Sequence, residues 1–216
     1  MPSFTSRDAV RSGMPLGGIG AGKLEIRPNG VFDAFTFLNN WSHPIAGDGI
    51  SGLLGYHLAV SAEPAERTSG ARRPKKAFLL QTAPVAGLPT VRAIRYEGSF
   101  PRVVLSYDEP SLDVAVTLEA FSPWIPGDVK NSSLPVVFFS LKIRNRRRTP
   151  VRAGFLFIGR NVSGDWTVGR RNRVIDETRS VHLEFSHEDR AARDPKNGVL
   201  RFSFEKPGWR TSYFES

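Results

Sequence analysis

The chain has 216 residues, of which 40% are hydrophobic and 24% charged, with a formal net charge of +9 and no cysteine. That balance fits a globular protein with a real core and argues against a disordered or fibrous chain. The missing thiols exclude disulfide frameworks, thiolate metal sites and cysteine nucleophiles. No run approaches the roughly 18 apolar residues of a membrane-crossing helix, and the opening MPSFTSRDAVRSGMP lacks an apolar signal core; the reading is a cytoplasmic chain.

The first segment to suggest chemistry is PLGGIGAGK at 15–23, where Gly17, Gly22 and Lys23 nearly spell the GxxxxGK of a phosphate loop. Such a loop leaves a buried strand and opens a helix whose N–H groups hold the anion. Here RSGMP upstream is too polar and broken for a buried strand, LEIRPNG downstream is a strand entering a turn, and Leu24 replaces the magnesium-binding hydroxyl residue. The glycines instead read as a place where backbone passes close to backbone, at a sheet edge or against another domain.

KLEIR, PNG and VFDAFTF predict a hairpin in which Asn29 and Gly30 both supply positive φ. LLGYHLAVS, KAFLLQ, TVRAIRYEG, RVVLSYD, LDVAVTLEAFS, LPVVFFSLKIRN, VRAGFLFIG, VHLEFSHE and GVLRFSFEK follow as strands between Gly, Pro, Asn and Asp punctuation. In LDVAVTLEAFS, Val114, Val116, Leu118 and Ala120 share one face, opposite Asp113, Ala115, Thr117 and Glu119. LPVVFFSLKIRN is more uniformly apolar and reads as a central strand covered on both sides. The fold class is all-β: a two-sheet antiparallel β-sandwich, supersandwich-like, of ten or more strands. AEPAERTSGARRPKK is an exposed loop, no internal boundary divides residues 1–216, and GWRTSYFES reads as a cut within a longer polypeptide.

The basic excess gathers at Arg72, Arg73, Lys75 and Lys76, at Arg144 and Arg146 to Arg148, and at Arg170, Arg171 and Arg173, each read as a solvated turn; this argues against nucleic acid as a partner. His43, His57, His182 and His187 show no ligand spacing, so no metal and no other cofactor is expected. Glu119 and Asp128 flank AFSPWIPG, but a strand-face Glu and a Gly-Asp turn read as structural and not as a glycosidase carboxylate pair. Trp41 and Trp124 sit in turn-like, polar-flanked settings, either as sugar-stacking platforms or as caps on the sandwich ends. The sequons at Asn131 and Asn161 read as chance.

Two blocks, PLGGIGAGKLEIRPNGVFDAFTFLNNW and RYEGSFPRVVLSYDEPSLDVAVTLEAFSPWIPGDVKNSSLPVVFFSLKIRN, together resemble the N-terminal domain of glycoside hydrolase family 116. This family of β-glucosidases includes the non-lysosomal glucosylceramidase. The resemblance runs from about Pro15 to Asn145 and is looser from Ala153 onward; Met14, Lys23 and Arg146 to Arg148 are bulkier or more basic than its pattern. It implies a β-sandwich packed against an (α/α)6 barrel that carries the catalytic carboxylates and lies outside this chain, which alone would be inactive. Under it, Asn39, Asn40, Trp41, Trp124 and Asp128 become candidates for the interdomain seam or for sugar contact, with no catalytic residue among them. The alternative is a stand-alone carbohydrate-binding β-sandwich using Trp41 or Trp124.

Overall fold

A computed structural model of the chain describes residues 2–8, 12–36, 56–65, 75–85, 87–161, 163, 169–188, 197–206 and 208. The chain divides into two compact units, Met1–Phe37 with Trp41–Arg160, and Leu38–Asn40 with Asn161–Ser216. Among the described residues, fourteen strands form four antiparallel sheets with almost no helix, an all-β, β-sandwich-like architecture.

The first unit holds β1 (Ser3–Thr5), β2 (Met14–Leu16), β3 (Lys23–Ile26), β4 (Phe32–Thr36), β5 (His57–Pro64), β6 (Lys76–Leu79), β7 (Ala93–Ser99), β8 (Arg102–Asp108), β9 (Val114–Phe121), the short helix α1 (Val129–Ser132), β10 (Phe138–Asn145) and β11 (Val151–Ile158). Its sheets are ordered β1-β7-β8-β9-β10, β2-β3-β4 and β11-β5-β6. Period-two alternation builds the core. Ile94 and Tyr96 of β7, Val103, Leu105 and Tyr107 of β8, and Val114, Val116, Leu118 and Ala120 of β9 are all buried, and the register stacks them as Tyr96, Leu105, Leu118 and as Tyr107, Val116. Each large side chain removed from water contributes about 1.5–3 kcal/mol. The sheet β2-β3-β4 covers this inner face: the Tyr96 hydroxyl donates to the Ile26 carbonyl at 3.1 Å, and the Phe32 and Phe139 ring centroids lie 5.9 Å apart.

The β3–β4 hairpin forms where expected, but by different turn chemistry. Gly30 has φ +83°, whereas Asn29 is not in the positive-φ region. Asn29 acts through its side chain instead, its Oδ1 accepting from the Val31 N–H at 3.2 Å, while the Gly30 N–H donates to the Arg27 carbonyl at 2.9 Å. A three-residue connection needs left-handed backbone only at its last position, which glycine fills without steric cost. A three-residue strand, β2, precedes the glycine run with only Leu16 buried, so it is not the buried strand that a phosphate loop leaves. The chain then turns back into β3, so no helix follows.

The largest correction concerns β10. Among the described residues it is an edge strand, paired with β9, and Phe138 and Phe139 are 48% and 42% exposed. Its inner-face residues Phe139, Leu141 and Ile143 adjoin the fully buried Ala120, Leu118 and Val116 but stay only partly covered themselves. Uniform apolarity cannot tell a strand covered by its own fold from one that presents an apolar face outward.

The second unit contains β12 (Arg170–Asp176), β13 (Ser180–His187) and β14 (Leu200–Glu205) in one meander, with Phe185 buried against Phe202. Arg170, Arg171 and Arg173 therefore lie on a strand and not in a turn; Arg171 pairs with Glu188. Asn161 is buried, and its Nδ2 faces the carbonyls of Arg171 and Ser186 at 3.0 Å and Asn172 Oδ1 at 3.1 Å. The nitrogen that glycosylation would modify is thus consumed by the fold.

Candidate functional site

The glycine run and the connection between β9 and β10 meet at one end of the five-stranded sheet. The Gly17 N–H donates to Ser122 Oγ at 2.7 Å, and the Ile19 N–H donates to the Ser132 carbonyl at 2.9 Å. A side chain at Gly18 would put its Cβ 2.3 Å from the Leu134 carbonyl oxygen and 2.6 Å from that of Ser133. Only glycine permits this approach. The packing role read from the sequence holds, and its partner is the 122–134 connection.

That connection is built by local rules. Asp128 N–H donates to the Ile125 carbonyl at 3.0 Å and Gly127 has φ +83°, so IPGD forms a tight turn with proline and glycine where such turns require them. Asp128 then caps α1, accepting from the Asn131 backbone N–H at 3.0 Å and from the Asn131 side-chain amide. These bonds, the backbone one foremost, hold its carboxyl below the ordinary range. Two buried hydroxyls tie the segment down: Ser122 receives Gly17, and Ser132 Oγ both accepts from the Ile125 N–H at 2.9 Å and donates to its carbonyl at 3.2 Å.

Tethering the backbone this tightly forces the apolar side chains outward. Trp124 is 48% and Val129 70% exposed, and Ile19, Ile125 and Leu134 are also exposed. At the same sheet end, Phe100 contacts Trp124 edge-on at 6.2 Å, and Phe121 stacks on Phe138 at 5.2 Å. The result is an apolar rim drawn from the glycine loop, the β7–β8 turn, the connection and the first residues of β10. Monomeric proteins seldom leave such a patch uncovered unless it binds something.

Of the sequence candidates, Trp124 lies on this rim and Asp128 shapes it, while Asn39, Asn40 and Trp41 lie outside the described residues. Glu119 is no free acid. Arg102 Nε holds it at 2.5 Å, and that hydrogen bond keeps its carboxyl below the usual range. Among the described residues no cluster of three His, Asp or Glu could hold a metal, and no helix is long and apolar enough to cross a membrane. Sequence reasoning missed Ile19, Phe100, Val129, Ser122 and Ser132. The available signal was a pair of serines bracketing the block in AFSP and NSSLP, which suits buried hydroxyls fastening a loop.

No curated protein matches the chain. A family model described as "beta-glucosidase 2, glycosyl-hydrolase family 116 N-term" matches residues 13–203, a span that takes in the glycine loop, the whole rim and every strand from β2 through β13. The chain therefore belongs to the family of glycoside hydrolase family 116 N-terminal domains.

Proposed function

We propose that the chain is the non-catalytic N-terminal β-sandwich of a retaining, glucosylceramidase-like β-glucosidase acting in cytoplasmic carbohydrate metabolism. Its apolar rim seats against an (α/α)6 barrel, which supplies the carboxylate nucleophile and the acid/base that carry out double displacement at the anomeric carbon. The carrying observation is the rim itself: a rigidly tethered backbone that spends four large exposed side chains, Ile19, Trp124, Ile125 and Val129, on solvent. Aromatic and aliphatic anchors of this kind dominate interface energies. On this reading the described residues contribute support and positioning, and no bond-breaking group.

The test mixes the purified chain with a separately produced family 116 catalytic barrel. Association should be measurable by sedimentation, and Trp124→Asp or Ile125→Asp should weaken it at least tenfold, while the chain alone leaves an aryl β-glucoside intact. Hydrolysis by the chain alone, or association indifferent to both substitutions, would overturn the proposal. A half-exposed indole also suits a sugar ring, which supports the stand-alone carbohydrate-binding reading. Heat on titrating a β-glucoside, abolished by Trp124→Ala, would favour that second reading.

A further inference from the structure

We propose that the free edge of β10 is a strand-addition site for an extended polypeptide segment whose side chains alternate between apolar and acidic. This goes beyond the rim, although Phe138 belongs to both surfaces. Three observations carry it. First, β10 pairs with β9 in unbroken register from Phe138 opposite Phe121 to Asn145 opposite Val114, and no described strand flanks its other side. Eight residues of regular backbone are long for an edge, which proteins usually shorten, bulge or cover.

Second, the two faces of β10 differ in chemistry. Phe139, Leu141 and Ile143 continue the inner row of Ala120, Leu118 and Val116; Phe139 meets Phe32 of the covering sheet, yet all three remain partly exposed, so the cover over β10 is incomplete. Third, the outer face carries Ser140, Lys142 and Arg144, all exposed. Lys142 shares Glu119 with Arg102, at 3.9 Å against 2.5 Å, and among the described residues Arg144 has no carboxylate within ion-pair distance. Past the strand, the Arg146 guanidinium donates to the Glu109 carbonyl at 3.3 Å. An added strand places its side chains about 5 Å from those of β10. Apolar residues there would complete the inner row, and carboxylates would meet Lys142 and Arg144.

A second copy of this chain fits worse, because two β10 strands would bring their cationic rows together. The cations could instead serve to discourage pairing. An edge protected in that way would not keep its inner row apolar and open.

The probes are three capped octapeptides: alternating Val-Glu, alternating Val-Lys, and a block peptide of four Val then four Glu. Amide exchange and chemical shifts along β10 are followed by NMR in the full chain at two salt concentrations. The Val-Glu peptide should bind one to one, slow β10 amide exchange at least tenfold at saturation, and weaken with salt. Lys142→Glu with Arg144→Glu should transfer the preference to the Val-Lys peptide. Arg144→Gln, at an exposed position without an ion pair, should weaken Val-Glu binding while the β9 amides stay protected. Equal binding of all three peptides, no protection of β10 by any of them, or concentration-dependent self-protection of β10 without peptide would each overturn the proposal.

Discussion

Replacing Gly18 by alanine tests the claim that the glycine loop exists to let two backbones touch. The added methyl would sit 2.3 Å from the Leu134 oxygen, 2.6 Å from the Ser133 oxygen and 2.7 Å from the Leu134 carbonyl carbon. All three are backbone atoms of the tethered connection, so no side chain can swing clear. Bringing the closest contact to 3.0 Å requires the loop to retreat by about 0.7 Å. That movement stretches the Ile19–Ser132 bond from 2.9 Å to about 3.6 Å and the Gly17–Ser122 bond from 2.7 Å to about 3.4 Å, weakening both. Two weakened hydrogen bonds at about 1 kcal/mol each and overpacking of about 1–3 kcal/mol, less a gain of about 0.4–1 kcal/mol from a stiffer unfolded chain, leave a loss near 3 kcal/mol. For a chain of this size that lowers Tm by about 6–12 °C. Gly154→Ala is the control: its Cβ meets only the Ser61 hydroxyl, at 2.8 Å, which can rotate away, and the expected cost is under about 1 kcal/mol. A Gly18→Ala protein that melts with the parent and leaves Ile19 amide exchange unchanged would refute the reasoning.

Three further outcomes are expected. Burial raises the phenols of Tyr56 and Tyr107 and lifts Tyr96 to about 12 from 10.0. Their folded forms therefore hold protons that the unfolded chain releases, so stability is full below pH 10.0 and falls as the pH climbs from there toward 12; absorbance at alkaline pH should show these phenols ionising together with unfolding, not before it. Asp128, whose folded pKa is depressed, works in the opposite sense: its support of α1 is present above the ordinary value of 3.8 and is lost as the pH falls through its lower folded value. Exchange of the Asn131 amide should consequently accelerate in strong acid, and Asp128→Ala should make it fast already at neutral pH. Asn161→Ala removes the amide that the part-buried Arg171 and Ser186 carbonyls accept from and should cost about 1–2 kcal/mol, read as a lower urea midpoint for the β12–β14 sheet.

The sequence was most legible where a pattern repeats over several residues. In β9 the alternation of Val114, Val116, Leu118 and Ala120 predicted the buried face directly. The three-residue β1 and β2 are too short to show a period, and β12 hides its strand under RRNR. For β10 the strand was readable but its place in the sheet was not, because sheet order is decided by partners distant in sequence. The site followed the same division. That the glycines serve close packing could be argued from flanking residues, whereas their contact with Ser122 joins positions 105 residues apart. Trp124 stood out as an aromatic in a turn. Ile19 and Phe100 are isolated apolar residues in turns and Val129 opens a single helical turn, and nothing local says that these segments will gather at one sheet end.

That 105-residue span also has a consequence for how the molecule is made and handled. Closing a contact over that span costs chain entropy that a local contact does not, so the rim depends on pairing that its own segment cannot supply. A truncated version starting at β3 would still carry the sequence of the 122–134 connection. It would lack the loop that holds that connection in place, leaving Ser122 without the Gly17 amide and the Ser132 carbonyl without Ile19. Expression boundaries, N-terminal fusions and proteolytic trimming near residue 20 therefore act on a surface encoded more than a hundred residues downstream.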